Sequence, residues 1–312
     1  MPERTFTDKP AVRESVPLLV GLMGASGSGK TYSALRIATG MQKVTGGDIY
    51  AIDTESRRML HYADGFNFRH VELTAPFSPL DYLAAIEHCV KQKAGVLIVD
   101  SMSHEHEGPG GVLEWHDKEM GGNFKKQFTA WAKPKAARRR LINTVLQLGV
   151  NAVFCFRAKE KIKVPAQKGA DVIQLGWMPI AGDEFLYEQT VNFLLYPNSG
   201  GVPTWQTDQP GENMMMKLPR QFESLLKPPK QLNEDTGREL AEWSAGGYTP
   251  AVAADDPTDG DAEILIAAIM DAADKKEVEQ MASDSRDTNW SNSQRSAIRG
   301  AIKQRSEEFA AA

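Results

Sequence analysis

Residues 24–31 read Gly24-Ala25-Ser26-Gly27-Ser28-Gly29-Lys30-Thr31, a complete G-x-x-x-x-G-K-T loop. An apolar run, Val16 to Met23, precedes it, and a helical pattern, Tyr32 to Val44, follows. Strand, loop and helix therefore come in the order that such a loop requires. Its glycines permit a tight turn that aims backbone N–H groups and a helix N-terminus at a polyphosphate. In that arrangement Lys30 reaches the β- and γ-phosphates of a nucleoside triphosphate, and the Thr31 hydroxyl sits on Mg²⁺. The expected ligands are ATP and Mg²⁺.

Two further strand ends carry acids. Val96-Leu97-Ile98-Val99-Asp100-Ser101 is a buried-type β-run closed by an aspartate, placed to hold Mg²⁺ together with Thr31. Ile49-Tyr50-Ala51-Ile52-Asp53-Thr54-Glu55-Ser56 ends likewise. Hydrolysis needs a carboxylate beside the γ-phosphate to take a proton from water. Glu55 is in position for this if its strand neighbours the phosphate-loop strand. Glu105 and Glu107 compete for the role, and Asp53 or Thr54 as a plain cap is the structural alternative.

Around these motifs the chain alternates apolar runs with helical patterns, the mark of an α/β domain with a mostly parallel sheet. Strands are expected at 16–23, 47–53, 69–73, 95–100, 151–156 and 190–196, with 202–206 and 213–218 as antiparallel additions. Helices are expected at 30–44, 79–93, 111–120, 134–148 and 232–245. Residues 1–15 read as a loose arm and 16–245 as the ATPase domain. The stretch 246–260, rich in Gly, Pro and Asp, reads as a linker. Residues 261–312 form a small three-helix unit, in which Leu265, Ala268, Ile269 and Ala272 share one face and Ile298, Ile302 and Phe309 another.

No apolar window is long enough to span a bilayer, and the opening Met1-Pro2-Glu3-Arg4 lacks a signal-peptide pattern. Cys89 and Cys155 lie inside apolar runs and read as buried thiols, so the expected setting is reducing and cytoplasmic. The net charge of −5 conceals an asymmetry: residues 251–312 hold 13 acids and 7 bases. Between Glu119 and Glu160 there is no acid, against nine Lys or Arg. Such a local field attracts a polyanion whatever the total charge.

The phosphate loop, the Ile-Asp-x-Glu strand end and the Val-Asp-Ser strand end together resemble the ATPase core of the bacterial recombinase RecA. Closer still, the chain resembles phage-encoded RecA-like ATP-binding proteins, among them single-strand annealing proteins of the Sak type. The carrying residues are Asp100 to Glu105 with Gly108 to Leu113, then Phe156 to Lys159 and Tyr187-Glu188. The likeness covers about residues 16–225. It implies a RecA-like fold, Glu55 as catalytic base, Asp100 as support for Mg²⁺, single-stranded DNA as a partner, and a ring or filament of like subunits. A single-strand binding or replication protein is a further expected partner, in a bacterial host cell. RecA ends the next strand with a polar sensor, whereas this chain has Arg157 there, either in the sensor's place or as a finger.

In a RecA-like core the segments after these strands face DNA. Here they hold Phe124, Lys125, Lys126, Phe128, Trp131 and Lys133, then Arg157, Lys159, Lys161, Lys163 and Lys168. Cations interleaved with aromatics suit single strands, since charges track phosphates while rings stack on bases. Arg157, Lys159 and Lys161 alternate and so share one side of an extended segment. Arg157 and Lys159 are the candidates to stabilise the γ-phosphate, within the subunit or across to a neighbour. Arg138, Arg139 and Arg140 read as a solvated helix face. Met214-Met215-Met216 reads as strand packing. His104, His106 and His116 lack the fixed geometry and thiol partners of a zinc site.

Two other functions fit the same loop. One is a nucleotide-gated module that binds ATP and a partner without turnover. The other is a small-molecule kinase, against which stands the lack of an Arg-rich lid and the presence of the Ile-Asp-Thr-Glu strand end.

Overall fold

The computed structural model describes residues 8, 14–165, 171–246, 259–285 and 290–311. Within the first of two compact units, Met1–Thr249, the strands are β1 (Leu19–Gly24), β2 (Ile49–Asp53), β3 (Arg69–Glu72), β4 (Val96–Asp100), β5 (Asn151–Lys163), β6 (Ile173–Pro179) and β7 (Val191–Leu195). Its helices are α1 (Lys30–Thr45), α2 (Pro79–Lys91), α3 (Ser103–Glu107), α4 (Val112–Met120), α5 (Ala132–Leu146), α6 (Asp183–Tyr187), α7 (Pro210–Met215), α8 (Glu223–Leu226) and α9 (Glu234–Ser244). The strands form one seven-stranded sheet in the order β3-β2-β4-β5-β1-β7, with β6 attached to β5. Every pairing along that order is parallel; β6 alone runs antiparallel. This is the mostly parallel α/β architecture expected of the chain.

Alternation along the strands feeds two cores, one on each face of the sheet. Val20, Leu22, Val153 and Cys155 face one side and pack with Leu35, Ile37 and Leu240 of α1 and α9. Leu19, Met23, Phe154 and Phe156 face the other and pack with Tyr82, Ile86 and Leu141 of α2 and α5. Each fully buried large side chain contributes about 1.5–3 kcal/mol of burial free energy. Both cysteines are buried and free, as their apolar settings suggested. The start of α2 is capped by Ser78, whose side chain accepts from Asp81 N while the Asp81 side chain accepts from Ser78 N.

Three expectations need correction. No strand forms at 213–218: Pro210 opens α7, and the unbranched methionines that follow favour a helix. Lys217 makes only a single bridge with Asn192, and 202–206 is reduced to one bridge, Leu194 to Thr204, next to the donorless Pro203. The strand begun at Asn151 runs on to Lys163 and folds back on β6, so a two-stranded ribbon projects from the sheet past Arg157.

The second unit, Pro250–Ala312, holds helices α10 (Asp259–Asp271), α11 (Lys275–Asp284) and α12 (Asn292–Ala311). Its core includes Ala262, Ile269, Ala272, Val278 and Ile298, with Leu265, Ile302 and Phe309 against it. Ala268 is exposed, contrary to its expected place on that face. Most of the 1–15 arm and of the 246–260 linker, and Lys168, lie outside the described residues. Among the described residues no helix is long and apolar enough to cross a membrane.

Helices α1 and α9 meet backbone to backbone at two glycines. A Cβ on Gly237 would lie 2.0 Å from Ile37 O, and one on Gly40 1.9 Å from Glu234 O. Gly237→Ala should therefore push the helices apart and cost about 1–3 kcal/mol, as overpacking does. The readout is a lower urea midpoint; an unchanged midpoint would show that the contact is slack.

Candidate functional site

The carboxyl ends of β1, β2, β4 and β5 converge on one cavity of about 700 Å³. Its wall includes Ser26, Gly27, Gly29, Lys30, Thr31, Glu55, Asp100 and Arg157, so the loop, the two acid-tipped strands and the arginine meet in space. Gly29 has φ 91°, a left-handed conformation that favours glycine, and a Cβ there would also press on Gly201 N at 3.2 Å.

The residues present fit a Mg²⁺-bound triphosphate. Thr31 Oγ1 donates to Asp100 Oδ2 at 2.5 Å, pairing the hydroxyl and the carboxylate such a metal needs. Lys30 is buried and folds back to donate from Nζ to Ala25 O at 2.7 Å within its own loop. Ser28 Oγ is buried without a hydrogen-bond partner. Burial pushes the Asp100 carboxyl up to about 6, with Thr31 and Lys30 opposing the shift. Burial likewise lowers the Lys30 ammonium, while Cys155, Asp100 and Glu55 counteract it. An anionic ligand with a divalent cation would relieve both strains at once.

Glu55 reaches the cavity by an unexpected route. Its strand does not neighbour β1; β4 and β5 lie between them. Instead the chain hooks back after β2. Asp53 Oδ1 accepts from Glu55 N at 2.7 Å and Oδ2 from Met59 N at 3.1 Å, while Ser56 and Arg57 adopt left-handed φ of 56° and 66°. Asp53 thus braces this turn through two backbone N–H groups, and Glu55 faces the cavity. Both Glu55 oxygens are taken: Arg157 Nε donates to Oε1 at 2.7 Å and Nη2 to Oε2 at 2.5 Å. Burial raises the Glu55 carboxyl, but the hydrogen bonds and charge of Arg157 prevail and hold it below the ordinary glutamate value. Arg157 is therefore engaged within its own chain.

The competing carboxylates separate clearly. Glu105 is buried away from the cavity wall and takes a bidentate bond from Arg138, Nε to Oε1 at 3.0 Å and Nη2 to Oε2 at 2.8 Å. This corrects the reading of Arg138 as a solvated residue; only Arg139 and Arg140 of that run are exposed. Arg138 also donates to His106 Nδ1 at 2.9 Å, and burial drives that imidazole down to about 4, leaving it neutral. Glu107 does border the cavity, 3.5 Å from Lys159 Nζ.

Other histidines are likewise structural. His104 Nδ1 meets Thr54 Oγ1 at 2.7 Å and the ring stacks on Phe77. His116 stacks on Trp131 at a centroid distance of 4.1 Å, and Lys135 lies over the same indole. Trp131 is thus half-buried and occupied, unlike Phe124 and Phe128, which are 80% and 84% exposed beside Lys125 and Lys126. Lys133 pairs with Glu119 at 2.9 Å. Lys161 and Lys163 lie on the ribbon beyond Arg157.

Sequence reasoning missed the aromatic side of the cavity, where Tyr32 and Tyr62 stand at a centroid distance of 6.0 Å with His61 and Arg58 nearby. The available signal was Tyr32 directly after Thr31, and the aromatic cluster His61, Tyr62 and Phe66 shortly after the second acid-tipped strand.

Because Glu105 and Arg138 are both buried, removing one strands the other. Arg138→Ala should cost about 3–5 kcal/mol, the scale of a broken buried pair. Thermal or urea unfolding would measure it, and a loss under about 1 kcal/mol would mean that water reaches the pair.

No family model and no curated protein matches the chain. Among solved structures, a KaiC-like protein from the hyperthermophilic archaeon Pyrococcus horikoshii OT3 is similar over 59% of this chain and 80% of its own, with 16% identity and a TM-score of 0.34.

Proposed function

We propose that this protein is an ATPase that acts on single-stranded DNA, in recombination or annealing. The observation that carries the enzymatic part is the meeting of Lys30, the Thr31–Asp100 pair and Glu55 around one cavity. Lys30 and the loop amides hold the phosphates, and Thr31 with Asp100 would hold Mg²⁺, which when bound neutralises charge on the β- and γ-oxygens. Water attacks the γ-phosphorus, the bond to the bridging oxygen of ADP breaks, and Glu55 takes the proton released by water. Tyr32 and Tyr62 offer flat apolar faces for a nucleobase.

The DNA part is supported by the two exposed rings, Phe124 and Phe128, which flank Lys125 and Lys126, and by Lys161 and Lys163 on the ribbon. Assembly into a homo-oligomer that follows the DNA belongs to the same proposal. A second reading, nucleotide-gated binding without turnover, is favoured by one observation: the carboxylate needed for hydrolysis is bound at both oxygens by Arg157.

Lys30→Ala should abolish ATP-dependent behaviour, and unchanged ATP affinity in that variant would remove the assignment. Glu55→Gln should retain ATP but slow hydrolysis by about 10²-fold or more, the scale of general-base loss. Wild-type turnover at the Glu55→Gln level would favour the gating module, while a loss on Glu107→Gln alone would move the base to that residue. For DNA, affinity should fall steeply between low and moderate salt as counterions are released. Lys125→Glu with Lys126→Glu should weaken it for all sequences alike. Salt-independent affinity, or none with ATP present, would take nucleic acid out of the function.

A further inference from the structure

The Arg157–Glu55 pair joins two residues that face the same cavity and are 102 positions apart in the chain. A carboxylate whose two oxygens both accept from a guanidinium is a poor acceptor for a proton from water. The two partners differ in freedom. The Glu55 side chain is only 14% exposed and has a second cation, Arg58, beside it, and its backbone N–H is bound to Asp53 Oδ1 at 2.7 Å. Arg157 is likewise held through its backbone, where its N–H donates to Ser103 Oγ at 2.8 Å and its carbonyl accepts from Ile180 N at 2.8 Å. Its side chain is 41% exposed, on a long stem. Of the two, the arginine can swing.

Phosphate and carboxylate offer the guanidinium the same forked geometry, and a terminal phosphate carries the greater charge. Lys30 and the Thr31–Asp100 pair mark the seat of the phosphate chain and its metal. A general base must lie beside the terminal phosphate, so a cation bonded to that base lies beside it too. Arg58 Nη1, 3.8 Å from Glu55 Oε2, remains to orient the carboxylate when Arg157 leaves.

We propose that Arg157 is a latch on Glu55: it withholds the carboxylate from water and transfers to the terminal phosphate only when a triphosphate is in place. This rests on the ATPase reading of the site and adds its regulation. A diphosphate lacks the group that draws Arg157 away, so hydrolysis returns the arginine to Glu55 and closes the site again. Binding and activation are thereby one event, and water cannot use the base before the substrate is seated.

The test follows the Arg157 Nε–Hε resonance in the full-length, ¹⁵N-labelled protein, assigned by its loss in Arg157→Lys. The signal should sit at an ion-paired position both in the protein alone and with Mg²⁺ and ADP. It should leave that position in Glu55→Gln, or in Glu55→Ala should the former fail to fold. With Mg²⁺ and the β,γ-imido analogue of ATP it should move to a third position. Calorimetry on the same samples reports binding. If the analogue binds while Arg157 stays at its Glu55-paired position, or if ADP moves it equally, the latch is overturned and the ATPase reading stands. If neither nucleotide binds, the reading of the site fails and the latch with it.

Discussion

The site depends on one buried carboxylate. Asp100 ends β4 in the middle of the sheet, only 4% exposed at the cavity wall, and desolvation raises its pKa to about 6. Its hydrogen bond from Thr31 ties the first turn of α1 to that strand end. Lys30 supplies the nearby positive charge but is itself desolvated and turned onto its own loop. Each group is partly satisfied in isolation, and together they form a seat that a polyphosphate and a dication would complete.

Around Asp100 the backbone is stitched across strands. Thr54 N donates to Asp100 O at 2.8 Å, and Ser101 N donates to Thr54 Oγ1 at 2.8 Å. Tyr82 reaches over from α2 to donate its hydroxyl to Ser101 O at 2.7 Å. These bonds bring the ends of β2 and β4 together, and the hook after Asp53 delivers Glu55 to the cavity although β2 does not neighbour β1. The same crossing holds α3, so that Glu105 is directed into the buried pair with Arg138 instead of toward the nucleotide seat.

The ribbon formed by β5 and β6 connects this centre to the exterior. One continuous strand carries Cys155, opposite Asp100 in register, then Arg157 at the cavity, then Lys159, Lys161 and Lys163. Strand pairing with β1 ends at Arg157, and pairing with β6 begins at Ala158. The arginine therefore sits at the junction between the rigid sheet and a projecting basic arm.

Much of the fold was legible because its signals are short-range. Apolar runs of strand length, the G-x-x-x-x-G-K-T turn, the acids at strand ends and the amphipathic period of α1, α2, α5 and α9 depend on neighbours within a few residues. The loop and its helix, Asp100, and the candidacy of Glu55 could be read that way. What the chain alone left open was set by strand order: which of Glu55, Glu105 and Glu107 faces the cavity, which arginine is solvated, and where Arg157 is engaged. Arg138 and Arg139 look alike in sequence, yet one is buried against Glu105 and the other exposed. Trp131 and Phe128 look alike as stacking platforms, yet His116 covers the first. Ion pairs and ring stacks form between groups brought within a few ångströms by packing, and partners such as Glu55 and Arg157, 102 positions apart, become neighbours only after the sheet has placed β2, β4 and β5 side by side.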